Sequence, residues 1–347
     1  MPRVASIMVV GASIAALASQ PALRGFLVKW SGLQSPGGAW RILAILLALA
    51  NLKNLPFVWH IRFLRAFVYQ LYLRPTPLPP HALFQPMISS TRTPLMEMDY
   101  NFHKSNSTYF SDLDISRTHL FTALIRNGIR KNSRLYGKKK GDGTIGDAGP
   151  RGKHVIALGG VSCLFKREIP PYQKYEMWTR LLCWDRKWFY LVTHLVKAGV
   201  AKPSSYTLQP WKKGRKDRKR VNGEEMESEE KIREKLKGAV FATSLAKYVI
   251  KRGRITVPPE EALLRADMLP PKPEGWVFKG EMNGAINGDV DSVLPAVLGE
   301  EWHWDKIEAE RLRGLQFAEK FAYLDGLHEE FDGGRNGALG EYADLLF

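Results

Sequence analysis

Apolar residues recur at three- and four-residue steps through Phe110, Leu113, Leu120, Phe121, Leu124 and Ile125, the spacing that lines one face of an α-helix. Ser105, Asn106 and Ser107 offer N-caps ahead of the run and Gly128 in "NGI" offers a stop, so the pattern predicts a helix from about 107 to 127. The preceding "ALFQPMISSTRTPLMEMDY" reads as extended chain with a strand leading up to Asp99, and Asp99 to Asn106 as the turn that feeds the helix. Beyond a Gly- and Lys-rich loop at 131–152, strand candidates follow at 153–169, 175–184 and 187–199. The last two flank Asp185 and Arg186, a two-residue spacing that suits a tight hairpin. A charged insertion at about 202–237 precedes a final strand at 238–257. Strand, long helix, three strands, insertion and strand together predict an antiparallel sheet with one helix against it, an α+β arrangement.

The flanks follow other patterns. Residues 4–23 carry no charge over about the twenty positions that span a bilayer; a short basic start and small residues at "ALAS" also fit a signal peptide. The apolar run at 39–52 is too short to span comfortably. Its continuation interleaves Trp59, Phe63, Phe67, Tyr69 and Tyr72 with Lys53, Arg62, Arg65 and Arg74, which suits an interfacial helix on anionic headgroups. Residues 1–73 are therefore expected to be membrane-anchoring or interfacial helical segments. Four prolines within "PTPLPP" break any helix and predict a stiff linker at 74–83, ahead of a domain at 84–257. A carboxyl-terminal helical extension is expected at 258–347, with periodicity over 300–331 through Trp302, Ile307, Leu312, Leu315, Phe317, Phe321 and Leu324.

Charge changes the picture of partners. Net charge is +16, and residues 1–96 hold no Asp or Glu. A basic chain points to nucleic acid or an anionic membrane. Here the acid-free segment is also the most apolar one, which favours the membrane, and no nucleic-acid partner is expected. Cys163 and Cys183 give neither a disulfide framework nor zinc spacing, so reduced thiols are expected. His303 between two tryptophans, with Asp305, is too little for a metal site. No P-loop, GxSxG elbow or dinucleotide fingerprint is found, and neither metal nor cofactor is expected.

The remaining chemistry lies in "DYNFHKSNSTY", which places Asp99, His103, Asn106 and Tyr109 just ahead of and into the predicted helix. Thioester hydrolysis needs a carboxylate or activated water and donors for the developing oxyanion; a carboxylate in a turn before a helix, facing the free amides of its first turn, meets both needs. An Asp, a His four on, an Asn at seven and a Tyr at ten, followed by "FKREIPPYQKYEMWTRLLCWDRKWFYLVTHLVKAG", resembles the hotdog-fold acyl-CoA thioesterases, and most closely the membrane-anchored thioesterase superfamily member 6 group. Together the matches cover 84–257. The resemblance implies a hotdog fold, an antiparallel sheet wrapped around a long central helix, and a homodimer with the acyl channel at its interface. It implies Asp99 as catalytic carboxylate and the Asn106 amide as polarising donor, with His103 and the Asn106 side chain orienting turn or substrate. Tyr109 is expected to pack on the sheet beside the substrate. Phe102 stands where many relatives have Gly, and Ser105 where they have a first Asn; Phe102 is expected to reshape the substrate pocket. The implied substrate is a thioester of CoA or acyl carrier protein. For the phosphates of CoA, cations of the 131–153 loop or Lys247, Lys251, Arg252 and Arg254 are candidates. An endomembrane location such as the endoplasmic reticulum, with the domain facing the cytosol, is expected. Two alternatives stay open: a non-catalytic acyl-binding or scaffolding protein, and an enoyl hydratase, whose motif has a proline and a His one position later than His103.

Overall fold

Six antiparallel strands and one long helix make the framework of the computed structural model, which describes residues 20–32, 35–137, 154–212, 229–277, 302–330 and 339. The strands are β1 Met87–Arg92, β2 His154–Phe165, β3 Lys174–Trp184, β4 Phe189–Lys197, β5 Val240–Arg252 and β6 Ile255–Val257. They pair in the order β1-β3-β4-β5-β2, with β6 on β5. The predicted last strand is thus two, divided by a turn in which Gly253 takes φ 62°. The β3–β4 connection spans Asp185 to Trp188 rather than two residues, because the Asp185 carboxylate accepts the Lys187 and Trp188 amides at 2.6 Å each and makes an Asx-type turn.

Seven helices accompany the sheet among the described residues: α1 Pro21–Ser31, α2 Gly38–Ala50, α3 Val58–Val68, α4 Thr108–Gly137, α5 Glu229–Ala239, α6 Pro259–Arg265 and α7 Trp304–Ala322. The central helix α4 runs ten residues past the expected stop. Gly128 keeps an ordinary helical backbone, and a Cβ there would sit 3.7 Å from the Ala266 amide behind α6, so this glycine serves helix packing. Residues 138–153, most of the predicted Gly- and Lys-rich loop, lie outside the described residues, as do 213–228 of the insertion.

Strand alternation puts Tyr175, Met177 and Leu195 against Tyr109 and Leu113 of α4, and Leu181, Trp184, Phe189 and Leu191 against Leu120, Phe121 and Leu124. A bulge between Leu181 and Cys183 adds a residue to β3, which turns Leu182 and Cys183 to the opposite face with Tyr190 and Val192. There α7 covers the sheet. The helix buries Trp304, Ile307, Gly314 and Ala318, packs Leu315 and Phe321 against the sheet and leaves Phe317 exposed, so its contact face joins part of the bulky stripe read from the sequence to small residues. The reason is close approach: a Cβ on Gly314 would lie 2.4 Å from the Leu182 carbonyl oxygen.

The amino-terminal helices are joined to this domain. Ala66, Gln70 and Leu71 are buried against it, Arg126 Nε of α4 donates to the Leu71 carbonyl at 3.1 Å, and Gln70 meets His119 Nδ1 at 3.3 Å. Within the proline stretch and just after it, Arg74, Ala82, Leu83 and Phe84 are buried. The uncharged run at 4–23 falls outside the described residues up to position 19. No helix among the described residues is long and apolar enough to cross a membrane. Instead α2 and α3 turn Trp40, Leu43, Leu46, Leu47, Leu49, Ile61 and Leu64 outward.

Candidate active site

Asp99 opens a five-residue turn held by its own side chain. Oδ1 accepts the Asn101 amide at 2.9 Å and the His103 amide at 3.4 Å, the local pairing that Asp favours in turns. Backbone bonds from Asp99 to the His103 carbonyl, 2.9 Å, and from Phe102 to the Asp99 carbonyl, 3.1 Å, close the turn, and a bridge between Met98 and Lys104 seals its base. The chain then passes Ser105, whose carbonyl accepts the Thr108 amide and hydroxyl, and enters α4. The Asn106 amide has no hydrogen-bond partner among the described residues.

Beneath the turn lies a buried charge cluster. Asp112 of α4 has no exposed side-chain surface and accepts from Lys53 at 2.7 Å, Arg62 at 2.8 Å and Lys104 at 3.1 Å, with the Tyr175 hydroxyl as a fourth donor. Glu97 bridges Lys53 at 2.8 Å and Lys104 at 2.5 Å. Burial alone would raise the Asp112 carboxyl, but Lys53, Lys104 and Arg62 outweigh it and hold the group well below the usual carboxylate range. Burial and the same carboxylate push the Tyr175 hydroxyl up, so it stays a donor. Lys104 follows His103 directly, so the turn is tied to this cluster through its own next residue.

Asp99, Asn101, His103, Lys104, Asn106 and Tyr109 line an open cleft of about 550 Å³, faced by Phe165, Lys166, Arg167 and Glu168 at the end of β2. His103 Nε2 meets Glu168 at 3.0 Å. The Tyr109 ring packs edge-on to Phe165 with centroids 5.0 Å apart; burial, then Cys163, Asp99 and Glu168, push its hydroxyl up, so it keeps its proton. Four of the five candidate residues therefore meet in one cleft. Phe102 does not line it: the side chain is 74% exposed and the backbone adopts φ 59°. Of the cations suggested for phosphate, those at 138–153 lie outside the described residues, whereas Lys131, Lys247, Lys251 and Arg252 are placed elsewhere. Lys247 is buried with its ammonium on Asp325. Lys251 and Arg252 pair with Val155 and His154, whereas Ala242 pairs with Phe165, so these cations sit at the far end of β2, about 36 Å from the cleft at 3.3 Å per residue. Lys131 is paired to Asp267 at 2.6 Å. Lys166 and Arg167, at the cleft itself, went unnoticed in the sequence, where they read as the polar end of a strand.

The family description "Thioesterase-like superfamily" matches residues 93–211. A probable thioesterase of Emericella nidulans, atnL, is 35% identical over 306 residues, which cover 86% of this chain and 90% of that protein. The chain belongs to the thioesterase-like superfamily. It is a hydrolase acting on thioesters, and its sheet and central helix form the hotdog fold of those thioesterases. Thioesterase poxG of Penicillium oxalicum is 32% identical over 300 residues, 84% of this chain and 87% of that protein. Protein THEM6 of Xenopus laevis matches more weakly, 28% over 155 residues, 44% of this chain and 64% of that protein. Among solved structures, the probable thioesterase YbaW of Escherichia coli aligns with TM-score 0.32 and 10% identity over 52% of this chain and 96% of that one.

Proposed function

We propose that this thioesterase hydrolyses acyl thioesters of CoA or acyl carrier protein with Asp99 as the catalytic carboxylate and the Asn106 amide as donor to the thioester oxygen. One observation carries the reading: the Asp99 carboxylate and the unpartnered Asn106 amide share a cleft at the start of α4. Because Oδ1 is held by two amides of its own turn, Oδ2 is left to take a proton from water. The hydroxide adds to the thioester carbon, and the oxyanion draws on the Asn106 N–H at the positive end of the helix. Collapse breaks the C–S bond, and the thiolate leaves with the proton that Asp99 took, releasing a free acid. His103, tied to Glu168, holds the turn, and Lys166 lies beside the cleft for the phosphates of the carrier. Asp99→Asn keeps the shape of the turn and removes the base. Hydrolysis of an acyl-CoA panel by the full chain is expected to fall by about 10²–10⁴-fold; unchanged turnover would sink the assignment.

Two further parts of the reading concern assembly. β2 is an edge strand with Val155, Leu158, Leu164 and Phe165 outward, an edge that a second copy would satisfy, giving a homodimer with β2 and the cleft near the interface. The outward apolar face of α2 and α3 suits an anionic endomembrane surface, with the domain on the cytosolic side. Flotation with phosphatidylserine vesicles checks this: Leu46→Glu with Leu47→Glu should lower the bound fraction, and equal flotation of both proteins would remove the membrane from the account.

A further inference from the structure

Cations of the two amino-terminal helices gather around one concave space without a counter-ion. Arg24 and Lys29 of α1 line an open cleft of about 610 Å³ together with Gly25, Val28, Gly32 and Ser35. Arg41 of α2 reaches the same turn: a Cβ built on Gly32 would lie 3.0 Å from its Nη1 and 3.1 Å from the Ser35 hydroxyl. Gly32 holds φ 63°, and its missing side chain leaves that corner to the guanidinium and the hydroxyl. Among the described residues the side chains of Arg24, Lys29 and Arg41 make no ion pair and no hydrogen bond. Residues 1–96 hold no Asp or Glu, so the neighbouring sequence cannot supply the missing charge. Like charges around one space repel, and a concave cationic site focuses its field on an incoming anion.

The surroundings say where that anion comes from. Phe26, next to Gly25, and Trp40, next to Arg41, are both exposed, and Leu43, Leu46 and Leu47 continue an outward apolar face along α2. When such a face lies on acyl chains, cations at its edge sit at the level of the headgroups. Size narrows the choice, because a cleft of this volume is of the class that takes whole small molecules rather than single ions. Charge narrows it further. A phosphatidylserine headgroup carries its own ammonium, which would meet three cations. A phosphorylated polyol brings instead a phosphomonoester of charge about −1.5 to −2 near neutral pH, and hydroxyls that Ser35 can meet.

We propose that the cleft between α1 and α2 binds the phosphorylated polyol headgroup of a membrane phospholipid, with Arg24, Lys29 and Arg41 on the phosphate and Ser35 on a polyol hydroxyl. The cleft then selects the membrane on which the enzyme works, a choice that the apolar face alone cannot make. This inference rests on the reading of the α2 and α3 face as a membrane surface.

The test uses the full chain and two sets of vesicles of equal negative charge, one made with phosphatidylinositol phosphate and the other with phosphatidylserine. Wild type should bind the first set about fivefold more tightly or better, the scale of one Lys or Arg contact at a membrane. Arg24→Gln with Arg41→Gln should bring that ratio close to one. Arg65→Gln, which removes an exposed cation of α3 outside the cleft, should weaken both sets alike and keep the ratio. Equal binding of the two sets by wild type, or a ratio that survives Arg24→Gln with Arg41→Gln, overturns the proposal. Calorimetry with soluble inositol bisphosphate and with inorganic phosphate separates lipid from free anion. The polyol phosphate should bind wild type and be lost in the double variant. Inorganic phosphate binding as tightly would make the cleft a free-phosphate site and overturn the lipid assignment. Failure of the parent reading is recognised separately: flotation would be untouched by Leu46→Glu with Leu47→Glu, whatever the ratio between the two sets.

Discussion

Phe102 holds a left-handed backbone, φ 59°, which costs an L-residue roughly 1–2 kcal/mol because its Cβ crowds the following carbonyl. A glycine at this place would be free of that cost. Little packing offsets it here, since the ring is 74% exposed. Phe102→Gly is therefore expected to raise stability, by about 0.5–1 kcal/mol after the greater entropy of glycine in the unfolded chain is counted; a chemical denaturation midpoint that falls would contradict the strain argument. The residue was conspicuous in the sequence as a departure, but its consequence was not legible, because spacing says nothing of the sign of φ. Asp99, His103, Asn106 and Tyr109 were legible because their relation is local. Asp112 was not: its partners Lys53 and Arg62 stand 59 and 50 residues away, and the same cations, read locally, belong to an amphipathic surface helix.

Among elements, strands were read well where alternation and turns agree, as for β3 and β4. Helix ends and helix faces were read less well. The run from Phe110 to Ile125 identifies α4, but Gly128 is a stop only if nothing packs on it, and α6 does. α7 makes the same point about faces. Ile307, Leu315 and Phe321 of its apolar periodicity do pack inward, but Gly314 and Ala318 share that face because small side chains let the helix lie directly on the bulged part of β3. Gly314→Ala places a methyl 2.4 Å from the Leu182 carbonyl oxygen, so helix or strand has to move. A loss of about 1–3 kcal/mol is expected, read as a lower Tm; an unchanged Tm would mean that α7 is not seated on β3 in this way.

Across the whole molecule, the +16 charge does two different things. Part of it is spent inside, where Lys53, Arg62 and Lys104 surround two carboxylates. The rest, with the outward leucines of α2, shapes the surface offered to partners. The amino-terminal helices thus have an inward task beneath the Asp99 turn and, in the proposed reading, an outward one at a bilayer.

That inward task decides how the chain can be divided. The proline stretch looks like a natural place to cut, yet a fragment starting beyond it would lose Lys53 and Arg62 while keeping Asp112, the residue they neutralise. Losing one partner of a buried ion pair costs roughly 3–5 kcal/mol, a large part of the 5–15 kcal/mol that typically holds a domain together. The folded unit of this thioesterase therefore has to include Lys53 and Arg62, and shorter pieces are expected to be lost to insolubility before their chemistry can be measured.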